Sequence, residues 1–402
     1  MKKFVVPLVL YLLEIGLLLP ILGASIMARF KEKMIDVGLG PEPLINNIYH
    51  KKALSKRGFS ATTFVNSVYY IVQDFDFRGD LVFRGLLRFF INYFLFFYVL
   101  LQFKCIYIYF NGGPLGFSKL LWRLEPLFYK LTNIKTVVMP YGGDVQEMSR
   151  SPNLLFKDAR CKDYPSQRMK RSKISKRIDL WTKYADHVIG GCEWVDYMYH
   201  WDTLMLAHFS IDVNTWKPVW RNNDELYSAN TKLRILHAPN HRAIKGTQYF
   251  IDAVNELVEE GLDVELVLLE RVPNDEVKRV MASVDIVADQ LIVGWYAMFA
   301  IEAMAMGKPV LCFLREDLLN LYTISGLIKP DEIPIINCGP FTVKDTLRYF
   351  LAHRDKLASI GRKSREFVLK HHSLEIVGEV FHRINTSIGI LPSGYSEEGS
   401  TK

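Results

Sequence analysis

From residue 232 onward, short runs rich in β-branched and aliphatic residues alternate with segments of helical period. This alternation restricts the fold more than any other feature of the 402-residue chain. The helical segments are closed by Gly261 and Gly307 or opened by a proline, as in "PNDEVKRVMASV". The strand-like runs are "LRIL", "DVELVLL", "DIVADQ" and "PVLCFL". Such a pattern predicts a parallel sheet covered by helices on both faces.

The first half of the chain repeats the pattern with "IDVGL", "CIYIYF", "KTVVM" and "DHVI", each followed by a stretch that contains glycine or proline. We therefore predict an α/β fold in which two Rossmann-like, doubly wound domains face a cleft, preceded by an apolar helix. We place the first domain at 29–218 and the second at 219–391, with the boundary in "FSIDVNTWKPVWRNND". Residues 392–402 form a polar tail that we expect to be disordered.

Residues 1–28 form an apolar segment long enough to span a bilayer. One charge, Glu14, and two prolines, Pro7 and Pro20, interrupt it. Basic residues flank both ends, and the positive-inside rule weakly favours the rest of the chain in the cytoplasm. We expect the protein at the cytoplasmic face of a membrane, through a single N-terminal anchor or as a peripheral protein. A monotopic hairpin or a non-native extension are the alternatives.

Two further segments have open interpretations. Residues 81–103 are rich in aromatic side chains, with Arg84 and Arg88 near their start. They predict either a buried helix or a helix on lipid with its arginines at head-group level. The basic stretch "SQRMKRSKISKRID" is either a solvated helix face or a patch that faces anionic lipid or an acidic acceptor.

Composition excludes several classes of protein. Half of the residues are hydrophobic, which excludes global disorder. The net charge of +7 is too diffuse to indicate nucleic acid as a partner. The five cysteines lack CxxC spacing, so we predict neither a zinc site nor a disulfide framework, and hence a reducing compartment.

The stretch "HAPNHRAIKGT", residues 237–247, places Arg242 and Lys245 in a glycine-ended loop between a strand and a helix. Clustered positive charge at such a junction is typical of a phosphate site. Arg can bind two phosphate oxygens, whereas Lys acts as a point charge.

Two other places on strand-to-helix loops complete the predicted donor site. The start of the helix at Met298 and Phe299 offers backbone N–H groups to a phosphate. Glu302, one turn further, can accept hydrogen bonds from ribose hydroxyls. Gly38 and Gly40 let the backbone approach a ligand closely, although an ordinary tight turn explains them equally well.

Three stretches carry a resemblance to a known family: "HAPNHRAIKGT", "ADQLIVGWYAMFAIEAMAMGKPVL" and "FSIDVNTWKP". They look like the donor-binding half of a retaining glycosyltransferase of family four, with the GT-B fold. The family's paired glutamates, seven residues apart, are half present: Glu302 matches the second, and Gly294 stands at the first. Many relatives have His where this chain has Tyr141, and Asp144 keeps its place in the same loop.

The resemblance implies a reaction. A nucleotide diphosphate sugar would bind mainly to the second domain, with Lys245 and Arg242 stabilising the leaving diphosphate and Glu302 holding the ribose. Asp144 would help bind the acceptor or the sugar. Transfer would proceed with retention, without a protein nucleophile, a metal or a cofactor, onto a lipid-linked or polysaccharide acceptor.

Two alternatives stay open: a sugar-nucleotide epimerase of similar fold, such as a 2-epimerase, and a non-catalytic protein that binds a nucleotide sugar. A Rossmann dehydrogenase is disfavoured because "GLGPEP" lacks the third glycine of the dinucleotide motif.

Overall fold

The computed structural model describes residues 2–68, 74–82, 85–220 and 232–393. The described strands form two sheets in which every pairing is parallel. The prediction of two parallel α/β domains preceded by an apolar helix is therefore confirmed.

The sheet of the first domain has seven strands in the order β3-β2-β1-β4-β5-β6-β7. Strand β1 pairs with β2 and β4, with Val37 opposite both Ala61 and Cys105. The strands are β1 (Ile35–Leu39), β2 (Ala61–Val65), β3 (Phe77–Arg78), β4 (Phe103–Tyr109), β5 (Lys135–Met139), β6 (His187–Gly191) and β7 (Thr203–Met205). The α-helices of this half are α1 (Lys2–Ala28), α2 (Ile45–Ser55), α3 (Gly79–Val82), α4 (Ile91–Gln102), α5 (Glu125–Leu131), α6 (Leu154–Asp163) and α7 (Arg171–Tyr184).

The sheet of the second domain has five strands in the order β12-β11-β10-β8-β9. Its strands are β8 (Leu233–His237), β9 (Val264–Leu268), β10 (Ile286–Gln290), β11 (Val310–Cys312) and β12 (Ile336–Asn337). The described helices are α8 (Arg242–Lys245), α9 (Thr247–Glu259), α10 (Asn274–Ala282), α11 (Met298–Ala305), α12 (Glu316–Ile324), α13 (Val343–Ala352), α14 (Asp355–His371) and α15 (Leu374–Ser387).

The last helix, α15, returns to the first domain and packs against α2. Gly378 allows the close approach, because a Cβ atom there would lie 2.6 Å from the carbonyl oxygen of Ala53. The hydroxyl of Tyr107 donates to Asn385 Oδ1 at 3.1 Å, which ties the same helix to β4. The chain from 219 to 391 therefore contributes to the packing of both domains. Residues 394–402 of the predicted tail lie outside the described part of the chain.

Helix α1 contains the segment Val9–Ala28, with a mean hydropathy of 2.1. Within the described residues it is the one helix long and apolar enough to cross a membrane. It packs against α4 and α5 of the first domain.

The aromatic segment 81–103 becomes a 3₁₀ turn (Gly85–Phe90) followed by α4. One face of α4, with Phe96 and Val99, is buried, while Phe90 and Phe94 stay exposed. The buried-helix interpretation is thus correct for its inner face. Arg84 lies outside the described residues.

Candidate active site in the cleft between the domains

The loops that follow the carboxyl ends of the strands in the two sheets meet each other. Asn153 Nδ2 donates to the carbonyl of Ile292 at 2.8 Å, and the indole N–H of Trp295 donates to the carbonyl of Leu206 at 2.8 Å. In open parallel sheets, ligands bind beyond the carboxyl ends of the strands. The interface between the domains is therefore the place where a ligand site is expected.

Lys245 lies at this edge, at the end of α8. Its Nζ is 2.6 Å from Oδ1 of Asp289, the penultimate residue of β10, whose side chain is fully buried. Gly246 follows in the left-handed region (φ 72°), where a Cβ atom would lie 3.1 Å from Leu291 Cβ. An ammonium group has three N–H donors, so the pairing with Asp289 leaves donors for a phosphate oxygen.

Arg242 and Lys245, which were predicted to act as a pair, have different ion-pair partners in the structure. The guanidinium group of Arg242 forms a two-fold ion pair with the carboxylate of Glu270, through Nε at 2.8 Å and Nη2 at 2.7 Å. Both side chains are exposed. A role of Arg242 in diphosphate binding stays a prediction, and it requires Arg242 to leave Glu270.

Arg160 is a buried cation of α6 that the sequence reasoning missed. Its Nε donates to Gln167 Oε1 at 2.6 Å, and its guanidinium carbon lies 4.8 Å from the ring centroid of Tyr164. The hydroxyl group of Tyr164 binds Nε2 of His241, and Asp163 Oδ2 accepts from the backbone N–H of Ile244, so the end of α6 lies against α8 across the domain interface. Burial lowers the pKa of His241, the charge of Asp163 opposes this shift, and the positive charges of Arg160 and Lys245 add to it.

A signal for Arg160 was present in the sequence. Phe156 and Ala159 precede it at spacings of four and one, so all three lie on one face of α6, and all three are buried. An arginine on an apolar helix face needs a partner or a ligand, because a buried charge is costly when it is unpaired. No described carboxylate forms an ion pair with Arg160.

At the start of α11 the backbone donors have no side-chain cap, and their predicted contact with a phosphate stays a prediction. Ala297 precedes the helix, and no side chain caps it. Met298 and Phe299 are half-buried at its first turn. A helix N-terminus without a side-chain cap has unsatisfied N–H groups that suit an anion.

Glu302 is buried in the second turn of α11. Burial raises the pKa of its carboxyl group to about 8, although a hydrogen bond from Asn274 and the charge of Lys278 act in the opposite direction. The carboxyl group therefore faces the start of α10. Its predicted contact with a ribose stays a prediction, and it requires the ribose to compete with Asn274.

Gly294, which stands where the family has its first glutamate, adopts φ 97°. A Cβ atom there would lie 2.5 Å from Cδ of Arg315. The arginine stem thus occupies the space that a glutamate side chain would need. Its guanidinium group binds Asp196 of the first domain through two hydrogen bonds (2.5 and 3.1 Å), and it also pairs with Asp317. Both Asp196 and Arg315 are 9% exposed, so this ion pair is a largely buried link between the two domains.

Asp289, Gln290 and Trp295 are the polar residues near Gly294 in the sequence that could replace the missing glutamate. Asp289 pairs with Lys245, and the indole of Trp295 donates to Leu206. Gln290 is buried at the end of β10.

Asp144 shapes its own loop. One carboxylate oxygen accepts from the backbone N–H of Tyr141 and Gly142, each at 3.0 Å, and the other accepts from the backbone N–H of Phe110 at 3.0 Å. Complete burial raises the pKa of Asp144 to about 7, and the backbone hydrogen bonds oppose that rise. A predicted contact of Asp144 with sugar or acceptor stays a prediction, because its oxygens already bind three backbone donors.

A polar network lies beside this loop. Asn111 Nδ2 donates to Glu42 Oε1 at 2.7 Å and to the hydroxyl of Tyr141 at 2.8 Å. Arg177 of α7 donates to Asn111 Oδ1. Burial raises the pKa of Glu42. The network follows the ends of β1, β4 and β5, so it provides hydroxyl, amide and carboxyl groups on the first-domain side of the cleft.

At Gly38 and Gly40, where a close approach of a ligand to the backbone was predicted, other groups of the protein itself approach the backbone. A Cβ atom at Gly38, inside β1, would lie 2.8 Å from the ring of Phe103. One at Gly40 would lie 2.0 Å from the carbonyl oxygen of Phe64. Both glycines are thus required by packing, and the predicted approach of a ligand to their backbone is not needed to explain them.

The described residues contain no group of three or more His, Cys, Asp or Glu side chains that could hold a metal ion. The five cysteines are free thiols; Cys161 is exposed and the other four are buried.

Comparison with solved structures places this geometry in a known fold. Sucrose-phosphate synthase from Thermosynechococcus elongatus is similar, with a TM-score of 0.56 and 13% identity over 89% of this chain and 99% of that one. HepE from Anabaena, in complex with UDP, gives a TM-score of 0.56 and 12% identity over 89% of this chain and 100% of that one. A glycosyltransferase from Rickettsia africae gives 0.53 and 12% over 89% and 99%.

These neighbours are glycosyltransferases, and the fold of the chain is GT-B. No family model matches the sequence, and no curated protein matches it significantly. Membership of family four stays a prediction.

Proposed function

We propose that the protein is a glycosyltransferase that moves a sugar from a nucleoside-diphosphate sugar to a lipid-linked or polysaccharide acceptor, with retention of configuration. The observation that carries the proposal is that the end of α6, the helix of Arg160, lies against the loop of His241 and Lys245 at the carboxyl end of β8. Likeness of fold to HepE, whose structures contain UDP or UDP-glucose, supports a nucleotide sugar as the donor.

The donor diphosphate would lie between Lys245 and Arg160, next to the N-terminus of α11. As the bond between the sugar and the diphosphate breaks, negative charge grows on the departing phosphate. Fixed cations and backbone N–H groups stabilise that charge without reorganisation, which is the most effective way to lower such a barrier. These groups supply the positive charge that a metal ion provides elsewhere, so the proposed reaction needs neither a metal nor a cofactor.

The acceptor would lie on the first-domain side, against Tyr141, Asn111 and Glu42. The hydroxyl oxygen of the acceptor forms a bond to the anomeric carbon of the sugar, on the face from which the phosphate leaves. The hydroxyl proton passes to the departing phosphate oxygen. Asp144 acts as a positioning residue, because its three backbone hydrogen bonds fix the loop that carries Tyr141.

A transfer assay with a matched pair of variants tests the proposal. Labelled UDP-, GDP- and ADP-sugars are incubated with the protein and a membrane lipid or polysaccharide extract, and label in the acceptor and free nucleoside diphosphate are measured. We expect Arg160→Met to reduce transfer by about 100-fold, the loss typical of one charge-stabilising donor. Arg168→Met, which removes an exposed arginine of the same segment, should transfer like the wild type.

Other outcomes contradict the proposal. An isomerised sugar nucleotide formed without acceptor would indicate an epimerase. Nucleotide binding without turnover on any acceptor would indicate a binding protein. Equal transfer by the Arg160 and Arg168 variants would remove the proposed role of Arg160.

A further inference from the structure

Glu14, the one charge in the apolar segment, is 1% exposed. Its carboxyl group accepts hydrogen bonds from the backbone N–H of Lys119 at 2.8 Å and of Leu120 at 2.5 Å, and from the hydroxyl of Tyr93 at 3.1 Å. The N–H of Leu121 adds a fourth, longer contact at 3.3 Å. Glu14 therefore caps a turn of the first domain, and α1 is a docked part of that domain.

This docking is incompatible with a helix that crosses a bilayer. Glu14 lies five residues after Val9, so a spanning segment Val9–Ala28 would place its carboxyl group about 8 Å inside the hydrocarbon core. The turn that binds it carries Lys119 and Arg123. Irregular backbone and cationic side chains do not occur against lipid at that depth, because their polar groups would be unsatisfied.

The two faces of α1 have different surroundings. The docked face carries Glu14, Ile21, Ser25 and Ala28, all buried and spaced by seven, four and three residues. Leu12, Ile15, Leu19 and Ile26 are exposed at spacings of three, four and seven, which places them on the opposite face of the helix. Leu19 is 76% exposed. The adjoining segment 85–102 adds a further exposed apolar group: Leu87, Phe89, Phe90 and Phe94.

Unpaired cations lie next to the turn that Glu14 caps. The ring of Trp122 is 4.6 Å from the guanidinium carbon of Arg123 and 6.0 Å from Nζ of Lys173. Lys119, Arg123 and Lys173 form no ion pair with a described carboxylate. Burial and the neighbouring positive charges together lower the pKa of Lys173 to about 8, and the charge of Glu14 opposes the shift. Such a cluster favours an anionic partner.

We propose that α1 lies in the plane of an anionic membrane surface, with Leu12, Ile15 and Leu19 in the lipid and the cluster of Lys119, Arg123 and Lys173 on lipid phosphates. An apolar face bordered by cations is the pattern of an interfacial helix. The inference goes beyond glycosyl transfer and does not depend on it. Arg177, whose guanidinium carbon is 5.7 Å from the Trp122 ring, joins this surface to Asn111 of the cleft.

Side-specific labelling distinguishes an in-plane helix from a spanning one. In sealed proteoliposomes of the full-length protein, Cys161 reports the side of the soluble domains, because it is the exposed one among the five cysteines. A second protein carries Lys3→Cys with Cys161→Ser. We expect a membrane-impermeant maleimide to label both proteins from the same side. Labelling of Cys161 from outside, with position 3 labelled only after permeabilisation, would overturn the proposal.

Liposome flotation tests the lipid-facing surface. Ile15→Glu combined with Leu19→Glu should lower the partition onto phosphatidylglycerol vesicles at least 10-fold. The matched control, Val258→Glu with Ile324→Glu, changes two exposed apolar residues of the second domain and should float like the wild type. Equal flotation of the two variants would contradict the proposal.

The cation cluster has its own readout. Arg123→Gln with Lys173→Gln should lower binding to phosphatidylglycerol vesicles to the level seen with neutral phosphatidylcholine. Unchanged preference for anionic vesicles would remove the cluster from the proposed surface.

Discussion

Replacement of Lys245 by methionine tests whether this lysine binds the donor diphosphate or only neutralises Asp289. The two roles are coupled, because the 2.6 Å ion pair joins Lys245 to a carboxylate with no exposed surface. Lys245→Met leaves that carboxylate buried and unpaired, which typically costs about 3–5 kcal/mol of unfolding free energy. For a domain of this size we expect the melting temperature to fall by about 10 °C.

A second substitution separates the two roles. Asp289→Asn removes the charge that Lys245 neutralises and keeps the shape of the side chain. The double variant Lys245→Met with Asp289→Asn should therefore recover most of the lost stability, to within about 1 kcal/mol of the wild type. Lys344→Met is the matched control: Lys344 pairs with Glu256 and Glu260 at the surface, where ion pairs contribute at most about 1 kcal/mol.

Calorimetric titration of the double variant with nucleoside diphosphate then measures the ligand contact alone. A hydrogen bond to a charged group contributes about 1.5–3 kcal/mol. The stable double variant should thus bind roughly 10- to 100-fold more weakly than the wild type. Wild-type affinity in this variant would refute the assignment of Lys245 to the phosphate site and leave it a structural residue.

Three more predictions follow from buried groups. Because the pKa of Glu302 is raised to about 8, the folded protein keeps this proton between pH 4.5 and 8 while the unfolded chain loses it, so unfolding free energy falls as pH rises through that range. Glu302→Gln should remove this decline, and urea unfolding at pH 5 and pH 9 should show a relative gain of about 4 kcal/mol at the higher pH. An equal difference at both pH values would contradict the shift. Gly294→Ala should lower the melting temperature more than Gly389→Ala, since both positions have positive φ but only the former would place its Cβ atom against a side chain, that of Arg315. Arg315→Met should open the cleft by releasing Asp196, with faster amide exchange in the loop after β10; unchanged exchange would mean that other contacts close it.

The sequence predicted the architecture because strand and helix periods are local properties. Runs such as "DIVADQ" and "LRIL" became central parallel strands, and the positive loop at Lys245 lies at their carboxyl ends. Local pattern could not show the pairing of Lys245 with Asp289, 44 residues away, because it depends on which strands become neighbours.

Departures from the family pattern acquire a physical reason only in three dimensions. Gly294 appeared as a missing glutamate, whereas the structure requires a glycine there because the stem of Arg315 fills the adjacent space. Likewise Glu14 appeared as an interruption of an apolar segment, and its partners are backbone groups about 105 residues further along the chain. Arg160 belongs to the first domain and Lys245 to the second. The distance between them along the sequence therefore could not indicate that both belong to the cleft.

The central claim is that the cleft binds a nucleoside diphosphate as part of a sugar donor. Calorimetric titration of the wild-type protein with UDP, GDP and ADP, beside NAD, tests it most directly. The account predicts that one of the three diphosphates binds selectively and that NAD does not. Absence of binding for all three would contradict it, because Lys245 and Arg160 would then be cations of the cleft without a phosphate ligand.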